Sequence, residues 1–154
     1  MSLLGMTSAV VLSLSPFLEV RGAIPVAVAF GLNVWIAFIL AVLANIALIP
    51  IVYFFLDYIH VHMMKISIYS RVFEMYLGRV RRKAEEKVVN KTWPYFALCG
   101  FVGLPLPGTG VWTGVLVSWF FKMSRRKSFI SLALGSILVS LLTTFAVIGF
   151  VKLW

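Results

Sequence analysis

Two clusters of residues carry groups able to do chemistry. Glu19 and Arg21 are the only charged side chains between Met1 and Leu56. Ionisable residues at membrane depth are costly and mark a transport pathway or a coupling site. An acid there takes up and releases a proton, and an arginine holds an anion. Residues two apart do not face each other on a helix but point the same way on extended chain. Pro16 and Pro25, with Gly22 between them, predict a non-helical tip from which both side chains enter one cavity. The alternative is an interfacial pair near the outer surface.

The second cluster is Pro105-Leu106-Pro107-Gly108-Thr109-Gly110, in the middle of a 30-residue uncharged run from Thr92 to Phe121. Two prolines forbid helix continuation, and two glycines permit unusual backbone angles. The freed amides of Gly108, Thr109 and Gly110 are expected to form a concave nest. Val111-Trp112-Thr113-Gly114 then starts a half-helix whose positive end points at the same spot, which makes an anion cradle. Asn45, alone in an apolar run, either bonds broken backbone or ties two helices together. His60 and His62 lie beside Asp57 at a membrane edge, without the spacing of a helical metal site. Cys99 has no partner for a bridge. With no nucleophile–base pair, nucleotide loop or metal cluster, the chain is not expected to be an enzyme, and no cofactor or metal is expected.

These residues need elements to hold them, and composition says which. Of the 154 residues 62% are hydrophobic and 12% charged, with mean hydropathy +1.02 and pI ≈ 10.1. Soluble domains are roughly 45–50% apolar and about 25% charged, and a chain this short cannot hide so much apolar surface inside itself. Lipid must solvate part of it. Of the net charge of +9, all but the one unit from Lys152 sits in residues 57–91 and 122–127, flanking the apolar runs, which is the positive-inside pattern of a membrane protein rather than a nucleic-acid site. The opening run lacks a basic start and a small-residue cleavage site, so it reads as retained and not as a signal peptide.

Each half has the same order: an apolar arm, a Pro/Gly-broken tip, a short second arm and a long span, about Asn33 to Leu56 and about Ser128 to Val151. Broken helices at matching positions of two halves point to a transporter with inverted repeats. Non-helical backbone survives in a bilayer only inside protein or around a wet cavity. The expected fold is therefore an all-α integral membrane protein with two inverted repeats. Each is a re-entrant helical hairpin followed by a full transmembrane helix. Repeat 1 covers about 1–58, a basic cytoplasmic connector about 59–92 and repeat 2 about 93–154, in one membrane domain. Residues 59–92 and 122–127 should be cytoplasmic and both termini outside. In the connector, Tyr69, Val72, Phe73, Tyr76, Val80, Ala84 and Val88 recur at helical spacing, and the remaining face is basic. Arg81/Glu85 and Arg82/Glu86 are supporting pairs. Such a helix either lies on an anionic leaflet or is a solvated connector, and Gly78 is a point where it can bend. Ala37/Ala41 and Ser136/Ser140 suit close helix packing.

The run from Pro16 to Pro25, with Gly31 and Asn45, together with the run from Leu104 to Gly114, resembles the small multidrug export protein family. That family is distantly similar to the DedA (SNARE-associated, VTT-domain) membrane proteins. The resemblance spans nearly the whole chain, weakest over 60–95. It implies two re-entrant loops in inverted repeats and transport of a lipid-related substrate across the plasma membrane, often linked to the proton gradient. Where DedA proteins carry an acid after Pro-x-Pro-Gly this chain has Thr109, and Gly110 stands near the position of their second arginine. The leading expectation is a flippase or scramblase for an anionic lipid or polyprenyl-phosphate head group. Its pathway would run along Glu19, Arg21, Gly22, Pro25, Asn45, Pro105, Pro107, Gly108, Thr109, Gly110 and Thr113. The alternative is a proton-coupled exporter of small cationic drugs, with Glu19 as the shared proton and cation site. A structural protein whose hairpins only pack is a third reading. Expected partners are membrane lipids, the substrate and a second copy in a homodimer, with no nucleic acid.

Overall fold

The computed structural model describes residues 3–16, 18–84, 93–104 and 109–153, with helices and no strand among them. Helices α1 (Leu3–Leu14) and α2 (Glu19–Ala29) pack together as a hairpin. Past α2, the amides of Gly31 and Leu32 donate back to the carbonyls of Val28 and Ala27 at 2.9 and 3.1 Å. This helix-ending turn needs a left-handed residue, and Gly31 supplies it with φ +79°. Asn33 then caps α3 (Val34–Phe54), its side chain accepting from the Trp35 amide at 2.9 Å. The rod continues through a π-helical turn, Phe55–Ile59, into α4 (His60–Met63).

After α5 (Ser67–Ala84), the second half repeats the order. Helices α6 (Pro94–Gly103) and α7 (Val111–Phe120) are short, and α8 (Arg125–Leu153) is long. Pro94 opens α6, where its missing amide hydrogen costs nothing. The turn after α7 copies the one after α2: Lys122 and Met123 donate to the carbonyls of Trp119 and Ser118 at 3.1 and 2.9 Å. Here Lys122, with φ +50°, takes the left-handed place held by Gly31 in the first half.

Among the described residues two helical stretches are long and apolar enough to cross a bilayer: Val34–Ile59, 26 residues of mean hydropathy 2.6, and Arg125–Val151, 27 residues of mean hydropathy 2.2. At about 1.5 Å per residue each exceeds the ~30 Å hydrocarbon core. Ile39, Leu43, Leu134 and Leu138 face outward. Ala37, Ala41, Ser136 and Ser140 are fully buried, as close approach of helices through small residues requires. A Cβ on Gly135 would stand 2.7 Å from the Cys99 carbonyl oxygen, so glycine is what lets α6 lie against α8. Helix α2 packs on α8, and α7 packs on α3. The second short helix of each half thus leans on the span of the other.

Two sequence expectations change. Among the described residues the break in the first half comprises Ser15, Pro16 and Leu18, and Gly22 and Pro25 lie inside α2 rather than on a tip. A proline in a helix interior costs about 3 kcal/mol. The fully buried neighbours Ala23, Ile24 and Ala27 hold the helix through it. The connector helix runs straight through Gly78. Of its expected apolar face, Phe73, Val80 and Ala84 pack into the core together with Leu77, whereas Val72 and Tyr76 stand 61% and 46% exposed. Val88 and the pairing of Arg81 and Arg82 with Glu85 and Glu86 lie outside the described residues.

Candidate functional site

The site forms where α2 meets the gap between α6 and α7. The first amides of any helix lack intrahelical partners and carry its positive dipole end, and the last carbonyls carry the negative end. Glu19 and Arg21 satisfy one of each. The Glu19 carboxylate, 5% exposed, accepts from the Val111 and Trp112 amides at the start of α7, both at 3.3 Å. Arg21 Nη2 donates to the carbonyls of Leu104 at 2.9 Å and Thr109 at 3.3 Å, to Thr109 Oγ1 at 3.1 Å and to the Val102 carbonyl at 3.5 Å. Thr109 Oγ1 in turn donates to the Leu104 carbonyl at 3.0 Å. An anion thus sits at the positive end of α7 and a cation at the negative end of α6, both delivered by one turn of α2.

Their two-residue spacing would separate them on a regular helix. Glu19 escapes that screw because it is the first residue of α2, with φ +47°. A left-handed non-glycine residue costs of order 1–3 kcal/mol and persists only where the surrounding structure holds it. The close approach also constrains the partner: a Cβ at Gly110 would overlap the Glu19 carboxylate carbon and both its oxygens.

Of the residues read from sequence, the structure brings together Glu19, Arg21, Thr109 and Gly110. Thr113 is one turn along α7, where its Oγ1 shares a 3.0 Å hydrogen bond with Tyr76 Oη of α5. Gly22 packs on the Leu18 side chain, and Pro25 lies further along α2. Asn45 is engaged elsewhere: its Nδ2 donates to Ser136 Oγ at 3.2 Å, tying α3 to α8. Pro105, Pro107 and Gly108, and with Gly108 one of the three amides of the expected nest, lie outside the described residues. The part of the cradle that is described is already filled, by the protein's own carboxylate.

Sequence reading missed Trp112. Its indole Nε1 donates to the Leu14 carbonyl at the end of α1 at 3.2 Å, and its amide holds Glu19. It also walls a cavity of ≈ 230 Å³ shared with Pro16, Val52, Phe55, Phe73 and Tyr76. Four aromatic residues, Trp112, Phe55, Phe73 and Tyr76, thus line a largely apolar space.

A second polar knot was missed as well. At the other end of α7, Asp57 takes a two-pronged ion pair from Arg125 at 2.6 and 2.8 Å and a 2.9 Å hydrogen bond from Trp119 Nε1. The π-helical turn carries Asp57, and such turns mark functional places in helices. His60 lies against Phe73 and Trp119, with ring centroids at 4.1 and 5.6 Å. Tyr53 Oη and Ser118 Oγ share a hydrogen bond beside it. The clue available in the sequence was position alone: Asp57 and Arg125 are charges at the borders of uncharged runs.

The family described as "Putative small multi-drug export protein" matches residues 19–142 of the chain, from the carboxylate of the site into α8. No curated protein and no solved structure matches it.

Proposed function

The chain belongs to this small multi-drug export family of membrane proteins, and from that premise we propose that it exports lipophilic organic cations in exchange for protons, with Glu19 as the exchanging group. The observation that carries the reading is the Glu19 carboxylate buried on the Val111 and Trp112 amides. As an anion it makes two charge-assisted hydrogen bonds at a positive helix end. A proton removes the charge and weakens both. In this reading a cation entering by way of the Trp112-walled cavity, which Trp112 links to Glu19 through its amide, competes for the same charge. Proton and cation therefore exclude each other at one carboxylate, which is the requirement for obligatory exchange.

The mechanical part follows from where α7 is held. Glu19 fixes its start, and Asp57 fixes Trp119 near its end. Releasing the Glu19 contact frees the start while the far end stays attached, so α7 pivots toward or away from α2. Arg21 keeps the end of α6 and Thr109 attached to α2 during that movement. The hairpins α1–α2 and α6–α7 act as re-entrant loops of two inverted repeats entering from opposite sides. The basic segments 65–84 and 122–127 are cytoplasmic on the positive-inside rule. The pivot then alternates access between the two sides.

The anionic-lipid reading asks more of the same groups. It needs the α7 amides and Arg21 open to a phosphate, and both are engaged with protein atoms. One experiment separates the readings. The protein is reconstituted in liposomes with an imposed pH gradient, and uptake of a fluorescent lipophilic cation is followed beside a labelled phospholipid. The expected result is gradient-driven cation uptake that Glu19→Gln abolishes. Phospholipid flipping that survives Glu19→Gln, without cation uptake, overturns the proposal.

A further inference from the structure

The basic ends of the two spans enclose a groove unconnected with Glu19. It has a volume of ≈ 620 Å³ between α3 and α8, and its lining includes Pro50, Phe54, Tyr58, Phe129 and Ile130, with Arg125 and Arg126. The two arginines open α8, level with the Asp57–Tyr58 turn of the partner rod, while Pro50, Phe54 and Ile130 lie one or two turns deeper along their helices. A cationic mouth thus sits above an apolar cleft. Phe54, Tyr58 and Ile130 are 59%, 63% and 58% exposed, so none of the described residues covers the cleft.

The charges at the mouth are unequal. Arg125 is committed to the Asp57 carboxylate and lies over the Tyr53 ring at 4.9 Å. Asp57 is the one acid among the groove's described lining residues, and Arg125 and Trp119 both donate to it. Arg126 has no ion-pair partner among the described residues, and Lys127 follows it. A site of this shape wants a single negative charge at the interface with a hydrocarbon chain hanging below it. Basic pockets between spans at a membrane surface hold anionic lipid head groups in this manner.

The geometry points to a binding site for one anionic phospholipid, its phosphate on Arg126 and an acyl chain lying between α3 and α8. The site borders Asp57, which anchors α7 in the proposed exchange, but uses none of the residues that take up proton or cation, and it stands whether or not that exchange occurs. Because the groove borders the Asp57–Arg125–Trp119 knot that holds α7, its occupant would brace the fixed end of that helix.

The test is native mass spectrometry of the whole protein in mild detergent, offered phosphatidylglycerol and phosphatidylcholine together. Preferential retention of phosphatidylglycerol is expected. Removing one basic contact weakens such binding about fivefold, from the roughly 1 kcal/mol typical of a basic residue at an anionic surface. Arg126→Ala should therefore lose the preference, Arg126→Lys should restore it, and Ile130→Trp, which fills the cleft, should lower retention with the charge intact. Arg71→Ala, on the exposed surface of α5, should leave it unchanged. Equal retention of both lipids, an unaffected Arg126→Ala, or full displacement by glycerol phosphate would overturn the assignment. So would a second copy of the chain occupying the cleft.

Discussion

The hydrogen atom that Gly110 carries in place of a side chain is what admits the Glu19 carboxylate to the amides of α7. Gly110→Ala puts a methyl group into the carboxylate's volume. Overpacking of this kind costs typically 1–3 kcal/mol. A lowered melting temperature in detergent together with loss of cation uptake is the expected outcome; unchanged uptake would show that the Glu19 contact is not needed. His60 is a second residue with a definite expectation. Burial against Phe73 and Trp119 lowers its pKa below the ordinary imidazole value. As the pH falls through about 6.5, the unfolded chain gains a proton that folded His60 resists, so its contribution to stability declines from there downward and is level above. Melting curves taken from neutral to acid pH should fall less steeply in His60→Gln than in the parent. Glu19 and Arg21 were legible in the sequence because charge in an apolar run has few explanations. Their partners were not: backbone amides and carbonyls have no side-chain signature, and nothing local announces that Val111 and Leu104 will face residues some ninety positions earlier.

Among the elements, the two spans were readable from the length of their uncharged runs, since bilayer thickness sets helix length directly. The positions of the breaks were less so. Pro25 reads as a helix breaker until the buried surfaces around it are known, and Lys122 gives no hint that it will adopt the conformation for which Gly31 is suited. The connector's periodicity located a helix but not its inner face. Leu77 turns in and Val72 out because α4 and α7 decide what it packs against. Asn45 offers a test at this scale. Its bond to Ser136 joins the two spans at full burial, and such bonds within membranes are worth about 0.6 kcal/mol on average. A double-mutant cycle of Asn45→Ala and Ser136→Ala on thermal unfolding should return a coupling of that order and favouring the native pair. A coupling of zero would mean the bond does not hold α3 to α8.

For the molecule as a whole, the same short vocabulary of elements is used twice, and each half supplies what the other lacks. The first half gives the acid and the base, and the second gives two broken helix ends of opposite polarity. That reciprocity explains why the charged pair sits in one half only, and under the proposed exchange Glu19 is the place where substrate and proton meet. The most direct measurement is the affinity of the purified protein for tetraphenylphosphonium, by titration calorimetry across a range of pH. Affinity should weaken progressively as the pH is lowered, and Glu19→Gln should both bind weakly and lose the pH dependence. An affinity independent of pH in the parent protein, or a Glu19→Gln variant that keeps the parent's pH dependence, would contradict the account.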